Sequence, residues 1–475
     1  MTKAILVGLD CAEPTLVFDR WRNDLPNLRR LMAAGVYGRL KSCDPPITVP
    51  AWACMMTSRD PGELGIYGFR NRKSYDYGPL GIASSLSVQE EKVWDLLGRA
   101  GREVVVVGVP PAYPVQPVNG HLISCFLTPS PEAAYTHPPE LQTEIRDLVG
   151  EYFFDVEGFR TNDKPALLDR IYDMTRRRFH VLRHLIRKKP WDFFMSVEMG
   201  VDRMHHGFWK FQDPDHVKYE RGNPYEDVIR EYYRYVDGEV GELLALADEE
   251  TVILVVSDHG AKRMEGGVCL NEWLRKEKFL RVRSYPKHLT SPAHLEFDWD
   301  RTLAWGEGGY YGRIYLNVRG REPRGAIAPS DVPKVCADLK AGLEEMKDES
   351  GQPLGTRVLF PRDLYREVRG AAPDLIVYFG GLHWRSVGTL GHGAIHTREN
   401  DTGPDDANHD THGIFIMARK GDWDRTGEEA APGAALGGLS LYDVAPTLLS
   451  VFGLPIPAGM IGRPILQPDA PPYFR

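Results

Sequence analysis

Side chains suited to binding metal ions recur in this sequence next to apolar segments that are typical of buried strands. Three such segments, at residues 4–9, 193–197 and 251–256, are followed within a few positions by aspartate, and a fourth, at 413–417, is preceded by two histidines. The residues concerned are Asp10, Asp202, His206, Asp258, His259, His409 and His412. Carboxylate and imidazole groups together suit Zn²⁺ or Mn²⁺ and suit Ca²⁺ poorly. If these side chains meet at one edge of a sheet, they can form a divalent-metal site.

Each motif by itself has an ordinary structural interpretation. Asp10 could cap a helix, and Asp202 with His206, four residues apart, could form an ion pair on a helix surface. The Asp-His-Gly sequence at 258–260 could belong to a turn, and the two late histidines could lie in a loop. Their joint occurrence at successive strand ends favours the metal site over these separate explanations.

Thr48 is the candidate nucleophile, because prolines surround it in the sequence Pro-Pro-Ile-Thr-Val-Pro-Ala-Trp at 45–52. The prolines restrict the backbone, so the hydroxyl can be held at a corner between a strand and a helix. A helix beginning near Ala51 would direct its N-terminal N–H groups at an anion beside Thr48. A threonine hydroxyl reacts poorly at neutral pH unless a metal ion lowers its pKa. The alternative is that Thr48 only caps that helix.

Hydrophobic patterning predicts the elements that must position these residues. Apolar runs expected to form strands lie at residues 4–9, 103–109, 193–197, 251–256, 375–379 and 413–417. Their continuous rather than alternating apolar character predicts a mainly parallel sheet that is buried on both faces. Helical patterns at 93–97, 166–187 and 225–247 lie between them and predict an α/β fold with helices on both faces of the sheet.

We expect residues 1–475 to form a single catalytic domain. Two stretches, at 126–165 and 275–330, follow the rhythm of strand and helix poorly and are interpreted as insertions that cover the active-site edge of the sheet. Residues 380–411, with many Gly, His, Asp and Asn, are expected to form a long loop.

Composition limits the class of protein. The net charge is −8 and is spread along the chain, so binding along a nucleic-acid polymer is not expected, whereas a small phosphorylated substrate is compatible with a metal site. No apolar stretch approaches the roughly 20 residues of a membrane span, and the apolar run at 4–9 is too short for a signal sequence. The six cysteines contain no CxxC pair, which favours reduced thiols and a cytoplasmic location. The oligomeric state is left open.

Longer motifs follow one another along nearly the whole chain. They include VGLD at 7–10, PPITVPAWACMMTSRDPGELGIYGF at 45–69, VDRMHHGFW at 201–209, VVSDHG at 255–260, YYGRIYLN at 310–317, NDTGPDDANHDTHGIFI at 400–416 and LYDVAPTLLSVFGLPIP at 441–457. On these motifs the chain resembles the alkaline phosphatase superfamily, and within it the type I phosphodiesterase/nucleotide pyrophosphatase group, in particular its cytosolic branch of predicted phosphohydrolases and phosphomutases. The resemblance implies an alkaline-phosphatase-like fold and two divalent metal ions, with Zn²⁺ preferred and Mn²⁺ as the second choice.

The resemblance also implies roles for single residues. The residues that match the ligands of one metal ion are Asp10, Thr48, Asp258 and His259, and those that match the ligands of the other are Asp202, His206 and a late histidine. His409 is preferred for that last position to His412, because of its spacing before the final core strand. Thr48 matches the nucleophile and Asn71 matches, approximately, a phosphate-binding asparagine. Ser58 departs from the pattern, in which a glycine usually stands at or near that position.

These residues predict metal-dependent hydrolysis of phosphodiester or pyrophosphate bonds in small substrates, including nucleotide-like ones, through a phosphothreonine intermediate. The alternatives are a phosphomonoesterase or a phosphomutase that acts on a small phosphorylated metabolite, since either could use the same nucleophile. A binding protein that retained the ligands without catalysis is the third possibility. The sulfatase cysteine is absent from residues 48–52, so sulfatase chemistry is not expected.

Overall fold

Ten strands form the central sheet of the computed structural model, which describes residues 2–427 and 430–465. In spatial order they include Ala434–Ala435, Val36–Lys41, His412–Arg419, Val252–Val256, Ala4–Leu9, Phe193–Glu198, Val104–Val107, Gly120–Ile123 and Thr136–His137, and Leu439–Ser440 also pairs with Val36–Lys41. The five consecutive strands from Val252–Val256 to Gly120–Ile123 are all parallel. His412–Arg419 runs antiparallel to both of its neighbours.

Ala4–Leu9 lies between two other parallel strands, and every one of its residues is buried. Its register pairs Ala4 with Phe193 on one side and with Val252 on the other. A strand that is covered on both faces must be apolar throughout, which is why continuous apolar runs predicted this arrangement. The predicted α/β fold, with a mainly parallel sheet and helices on both faces, is confirmed.

The long helices agree with the sequence pattern. Lys164–Lys188 corresponds to the pattern at 166–187, and Val228–Leu244 falls within 225–247. The other α-helices that accompany the central sheet are Pro26–Ala34, Thr48–Thr57, Pro61–Leu64, Val93–Arg99, Glu140–Val149, Gly200–Gln212, Lys420–Arg425 and Val444–Val451.

A second hydrophobic core is formed by residues between Val268 and Leu390. Its antiparallel sheet has the order Ala304–Glu307, Gly312–Leu316, Leu375–Tyr378 and Arg357–Leu359, and the α-helices of this region are Leu270–Lys276, Val332–Glu344 and Pro361–Leu364. The prediction that residues 375–379 belong to the central sheet is therefore wrong, although a strand does form there. An apolar run specifies burial on both faces but does not specify which sheet it joins.

Residues 380–411 do not form one long loop, because three short strands occur within them. Trp384–Val387 and His396–Thr397 pair with the two sides of Gly266–Cys269. Ala407–Asp410 pairs antiparallel with Gly260–Arg263. These partners are distant in the sequence, so the local pattern of polar residues and glycines could not reveal the pairing.

The description as a single domain with two insertions stays a prediction. Residues 126–165 contain the edge strand Thr136–His137 and the helix Glu140–Val149. Residues 275–330 supply the strands Ala304–Glu307 and Gly312–Leu316 to the second sheet.

Two further features bear on the sequence analysis. No helix within residues 2–427 and 430–465 is both long enough and apolar enough to cross a membrane. All six cysteines of the chain are buried and unpaired.

Candidate metal centre

The carboxyl ends of the parallel strands supply three buried aspartates to one cluster. Asp10 and Asp258 each come within two residues of a strand end, and Asp202 lies in the first turn of the helix Gly200–Gln212. The backbone N–H of Asp10 also donates to Glu198 O at 3.0 Å, which extends the pairing between two strands by one residue. Neighbouring parallel strands end at the same edge, so the three side chains meet there.

Three histidines complete the cluster, namely His206, His259 and His409. The first lies one turn after Asp202 on the same helix, and the second directly follows Asp258. The third comes from the strand Ala407–Asp410, whose register places it opposite Ala261. All three side chains are buried, with at most 2% of their surface exposed.

His259 contacts the carboxylates that follow two adjacent parallel strands. Its Nε2 lies 3.1 Å from Asp258 Oδ2 and 3.8 Å from Asp10 Oδ1. Nδ1 of the same ring lies 3.1 Å from Gly260 O, which can only accept a hydrogen bond. In the tautomer with the proton on Nδ1, which donates to this carbonyl, the lone pair of Nε2 faces the carboxylates, as a metal ligand requires.

A second group is centred on Asp202. Its Oδ1 lies 3.2 Å from His206 Nε2 and 3.5 Å from His409 Nε2, and these two nitrogens are 3.2 Å apart. Nδ1 of His409 lies 3.0 Å from Pro46 O, and in the tautomer that donates to this carbonyl its Nε2 also presents a lone pair to the cluster. The interpretation of Asp202 and His206 as a surface ion pair does not fit, because both side chains are almost fully buried.

Three carboxylate oxygens in the cluster, Asp10 Oδ1, Asp202 Oδ1 and Asp258 Oδ2, accept no hydrogen bond from any described residue. Buried oxygens of this kind normally find a donor, and a carboxylate that lacks one is destabilised by more than a neutral group would be. Bound cations would satisfy all three oxygens. The donor set of aspartate oxygens and imidazole nitrogens is appropriate for Zn²⁺ or Mn²⁺.

The pKa shifts of the three carboxyl groups also indicate that nearby protein cations do not balance all of their negative charge. Burial raises the pKa of Asp10 well above its ordinary value, and the negative charge of Asp202 raises it further. Burial and the charge of Asp10 raise the pKa of Asp258 in the same way. Burial would also raise the pKa of Asp202, but the charges of His206 and Arg203 outweigh it and hold that pKa well below its ordinary value. Two of the three carboxylates therefore lack a protein cation of their own.

Thr48 is the first residue of the helix Thr48–Thr57, which begins three residues earlier than expected. Ile47 occupies the N-cap position, so the hydroxyl of Thr48 does not cap this helix. Its Oγ1 instead lies 3.2 Å from His259 Nε2, and the residue is only 3% exposed. The N-terminal end of the helix dipole thus lies at the same place as the hydroxyl and the cluster.

The same helix contributes two further features. Trp52 is fully buried, and its Nε1–H donates to Asp10 Oδ2 at 2.7 Å. Ser58 ends the helix in the left-handed conformation, with φ of 51°. This conformation explains why glycine suits the position in similar sequences. Here the Ser58 hydroxyl donates to Tyr442 O and accepts from Gly462 N, which ties the helix end to the C-terminal segment.

Two predicted site residues lie apart from the cluster. His412 begins the strand His412–Arg419, and its Nδ1 is 3.0 Å from Thr411 Oγ1. Asn71 lies in a two-stranded hairpin, where its Oδ1 accepts from Tyr67 N and its Nδ2 donates to Gly68 O. The amide of Asn71 therefore stabilises its own turn, and the structure gives no contact between it and the side chains of the cluster.

Several residues outside the predicted ligand set surround the cluster. Asp405 Oδ1 lies 2.7 Å from His206 Nδ1, and the ring of Tyr310 lies 4.1 Å from that of His409. Arg203 contacts Asp202 and also donates twice to Asp155. The only sequence signal for Asp405 is its position four residues before His409 in the motif at 400–416.

Solved structures with a similar fold include enzymes that act on phosphorus compounds. Mouse ectonucleotide pyrophosphatase/phosphodiesterase 5, solved as an inactive threonine-to-alanine variant with AMP, is 13% identical, with 96% of each chain covered and a TM-score of 0.53. Phosphonoacetate hydrolase from Sinorhizobium meliloti 1021, with phosphonoformate, is 17% identical, with 94% of each chain covered and a TM-score of 0.57. The human ectonucleotide pyrophosphatase/phosphodiesterase 5 is 12% identical, with 96% of each chain covered and a TM-score of 0.51. At these identities the likeness shows the fold.

Sequence comparison identifies the family. No curated protein matches the chain. The family model for type I phosphodiesterase/nucleotide pyrophosphatase matches residues 4–414, which include every residue of the cluster. The chain therefore belongs to the type I phosphodiesterase/nucleotide pyrophosphatase family and is a phosphoester hydrolase.

Proposed function

We propose that the protein is a metal-dependent phosphohydrolase that cleaves phosphodiester or pyrophosphate bonds of small substrates, nucleotide-like ones among them, through a phosphothreonine intermediate on Thr48. One observation carries the proposal. Thr48 Oγ1 lies 3.2 Å from His259 Nε2, inside a buried cluster in which three carboxylate oxygens lack hydrogen-bond donors among the described residues. A hydroxyl held at such a site can act as a nucleophile.

Two sets of residues would hold the cations. The proposed sets are Asp10, Thr48, Asp258 and His259 for one cation, and Asp202, His206 and His409 for the other. The position of His409 within 3.5 Å of Asp202 supports it over His412 as the last ligand. Zn²⁺ is the preferred ion because imidazole and carboxylate are mixed, and Mn²⁺ is the alternative. When bound, two such cations stabilise the negative charge on the attacking and leaving oxygens of an in-line displacement.

The residues of the chain then have distinct tasks. The Thr48 oxygen, having lost its proton, attacks phosphorus, and the bond from phosphorus to the leaving oxygen breaks. The leaving oxygen takes up a proton, and the phosphoryl group, with the substituent that it still carries, remains esterified to Thr48. Water then attacks the same phosphorus, and the bond to the Thr48 oxygen breaks, which restores the hydroxyl. The N-terminal N–H groups of the helix that begins at Thr48 favour a phosphate anion at this position.

The solved relatives support this assignment. The mouse relative is described as inactive when a threonine is replaced by alanine, and it was solved with AMP. Both facts suit a threonine nucleophile and a small phosphorylated ligand. A cytoplasmic location is part of the proposal, because all six thiols are unpaired and buried, as expected in a reducing compartment.

The test compares Thr48→Ala with Thr57→Ala at the other end of the same helix, where the Thr57 hydroxyl only donates to Ala53 O. Turnover of bis(p-nitrophenyl) phosphate with added Zn²⁺ or Mn²⁺ should fall by several orders of magnitude in Thr48→Ala and change little in Thr57→Ala. Acid quenching during turnover of this diester, followed by mass spectrometry, should find a p-nitrophenyl phosphoryl group on Thr48. Turnover by Thr48→Ala at the wild-type rate would refute the proposed nucleophile.

Two further assays separate the alternative functions. A higher kcat/KM for p-nitrophenyl phosphate than for the diester would identify a phosphomonoesterase. Transfer of ³²P between two positions of a metabolite without release of free phosphate would identify a phosphomutase.

A further inference from the structure

Asp405 lies outside the proposed ligand sets, yet its side chain is fully buried beside one of them. Its Oδ1 accepts a hydrogen bond from His206 Nδ1 at 2.7 Å. Its Oδ2 accepts from Arg160 Nε at 2.9 Å and from Arg385 Nη1 at 3.0 Å. Both oxygens of the carboxylate are therefore used, and the two guanidinium groups compensate its buried charge.

The three partners of Asp405 come from separate parts of the chain. His206 lies on the helix Gly200–Gln212, Arg160 precedes the helix Lys164–Lys188, and Arg385 lies on the strand Trp384–Val387 beside the second core. Asp405 thus joins three segments around one histidine.

Tyr310 closes this network over the cluster. Its ring stacks on that of His206, with centroids 5.0 Å apart and planes 15° apart. Its hydroxyl accepts from Arg160 Nη2 at 2.6 Å, and the guanidinium of Arg385 lies 5.0 Å from the ring. The orientation of the His206 ring is therefore restrained both by its Nδ1 hydrogen bond and by stacking.

His206 differs from the other two histidines of the cluster in its Nδ1 partner. His259 and His409 face backbone carbonyls, of Gly260 and Pro46. His206 faces a carboxylate, with Ala407 O as a longer contact at 3.1 Å. A carboxylate acceptor keeps the proton on Nδ1, directs the Nε2 lone pair toward Asp202 and makes that nitrogen a better ligand.

We propose that Asp405 is a positioning residue that orients His206 toward the cation held by Asp202, His206 and His409. This inference rests on the proposed function, because it requires that cation to bind. The effect is specific to one of the two cations, since the other set, with Asp10, Asp258 and His259, does not contact Asp405. Loss of such an outer partner typically weakens metal binding by about 10- to 100-fold.

Asp405→Asn tests the proposal, and Asp406→Asn is its matched control. Asp406 is the next residue, is also buried, and has Lys210 at 3.6 Å as its charged partner instead of a histidine. Calorimetric titration of the metal-stripped full-length protein with Zn²⁺ should show two sites in the wild type and in Asp406→Asn. In Asp405→Asn one site should weaken by about 10- to 100-fold and the other should keep its affinity. Equal affinities in Asp405→Asn and Asp406→Asn overturn the proposal.

A double-variant cycle and a spectroscopic measurement exclude a merely structural effect. In a His206→Ala background, Asp405→Asn should cause no further loss of Zn²⁺ affinity, because its influence passes through His206. An additional loss of tenfold or more overturns the proposal. In Zn²⁺-loaded wild-type protein with ¹⁵N-labelled histidine, His206 should be protonated at Nδ1. An unprotonated Nδ1 overturns the proposal, and this measurement needs only the wild-type protein.

The failure of this inference can be distinguished from the failure of the proposed function. If the wild type binds fewer than two cations, or if its turnover does not depend on Thr48, the proposed function and this inference fall together. If the wild type binds two cations and uses Thr48, but Asp405→Asn behaves like Asp406→Asn, only the role of Asp405 is refuted.

Discussion

Removal of the divalent cations should lower the thermal stability of this protein by an amount that depends on pH. Three buried carboxylate oxygens in the cluster have no hydrogen-bond donor among the described residues, and burial raises the pKa of Asp10 and of Asp258. A cation that binds only the folded state stabilises it by about 4 kcal/mol when present at a thousandfold excess over its Kd. Two sites would then contribute about 8 kcal/mol.

The expected change in Tm follows from the chain length. A chain of 475 residues unfolds with an entropy of about 1 kcal/mol/K near its Tm. Saturation of both sites should therefore raise Tm by roughly 8 °C relative to protein treated with a chelator. Differential scanning calorimetry in Zn²⁺ and in EDTA measures this difference.

The pH dependence has a definite sign. A carboxyl whose folded-state pKa is raised contributes stability that is fully present below its unfolded pKa and is lost as pH rises through the folded value. The metal-free protein should thus lose the contribution of Asp10 and Asp258 as pH increases, whereas cations, which bind the deprotonated carboxylates, bind more tightly. The difference in Tm between metal-loaded and metal-free protein should increase from pH 5 to pH 7.5. A difference that is absent, or that decreases over this range, would refute the assignment of these carboxylates as cation ligands.

Three other predictions concern single residues. His409→Ala should reduce the bound Zn²⁺ from two ions to one by elemental analysis, and His412→Ala should leave two; the opposite pattern would exchange their roles. Trp52→Phe removes the N–H that donates to Asp10 and should lower the free energy of unfolding by about 2 kcal/mol in denaturant titrations; an unchanged midpoint would contradict this. Gly8→Ala would place a Cβ 2.4 Å from the ring of Trp52 and should lower the free energy of unfolding by about 1–3 kcal/mol. Gly238→Ala, in an open helical position, should raise it by about 0.5–1 kcal/mol. Similar effects of both changes in denaturant titrations would contradict the packing argument.

Much of the cluster could be predicted without coordinates because several of its side chains follow strands directly. Asp10 and Asp258 come within two residues of parallel strands, and the geometry of a parallel sheet brings such positions together. Asp202 and His206 share a helix face because they are four residues apart. In each case a short spacing in sequence and a general rule of the fold were sufficient to place the side chain.

Contacts between distant segments could not be predicted in this way. His409 reaches the cluster because Ala407–Asp410 pairs with Gly260–Arg263, whereas the sequence pattern predicted a loop there. The strand Leu375–Tyr378 joined the second sheet instead of the central one. Burial on both faces was encoded in the apolar run, but the identity of the pairing partner was not.

The sequence by itself determined the family, the mainly parallel α/β core and most of the side chains that we propose as metal ligands. Only the tertiary structure decided that Thr48 begins its helix without capping it, that Asn71 stabilises its own turn, and that Asp405 lies beside His206. The physical reason is that local periodicity determines which face of an element is buried. The hydrogen-bond partner of a buried polar group, in contrast, depends on which distant segments pack against it.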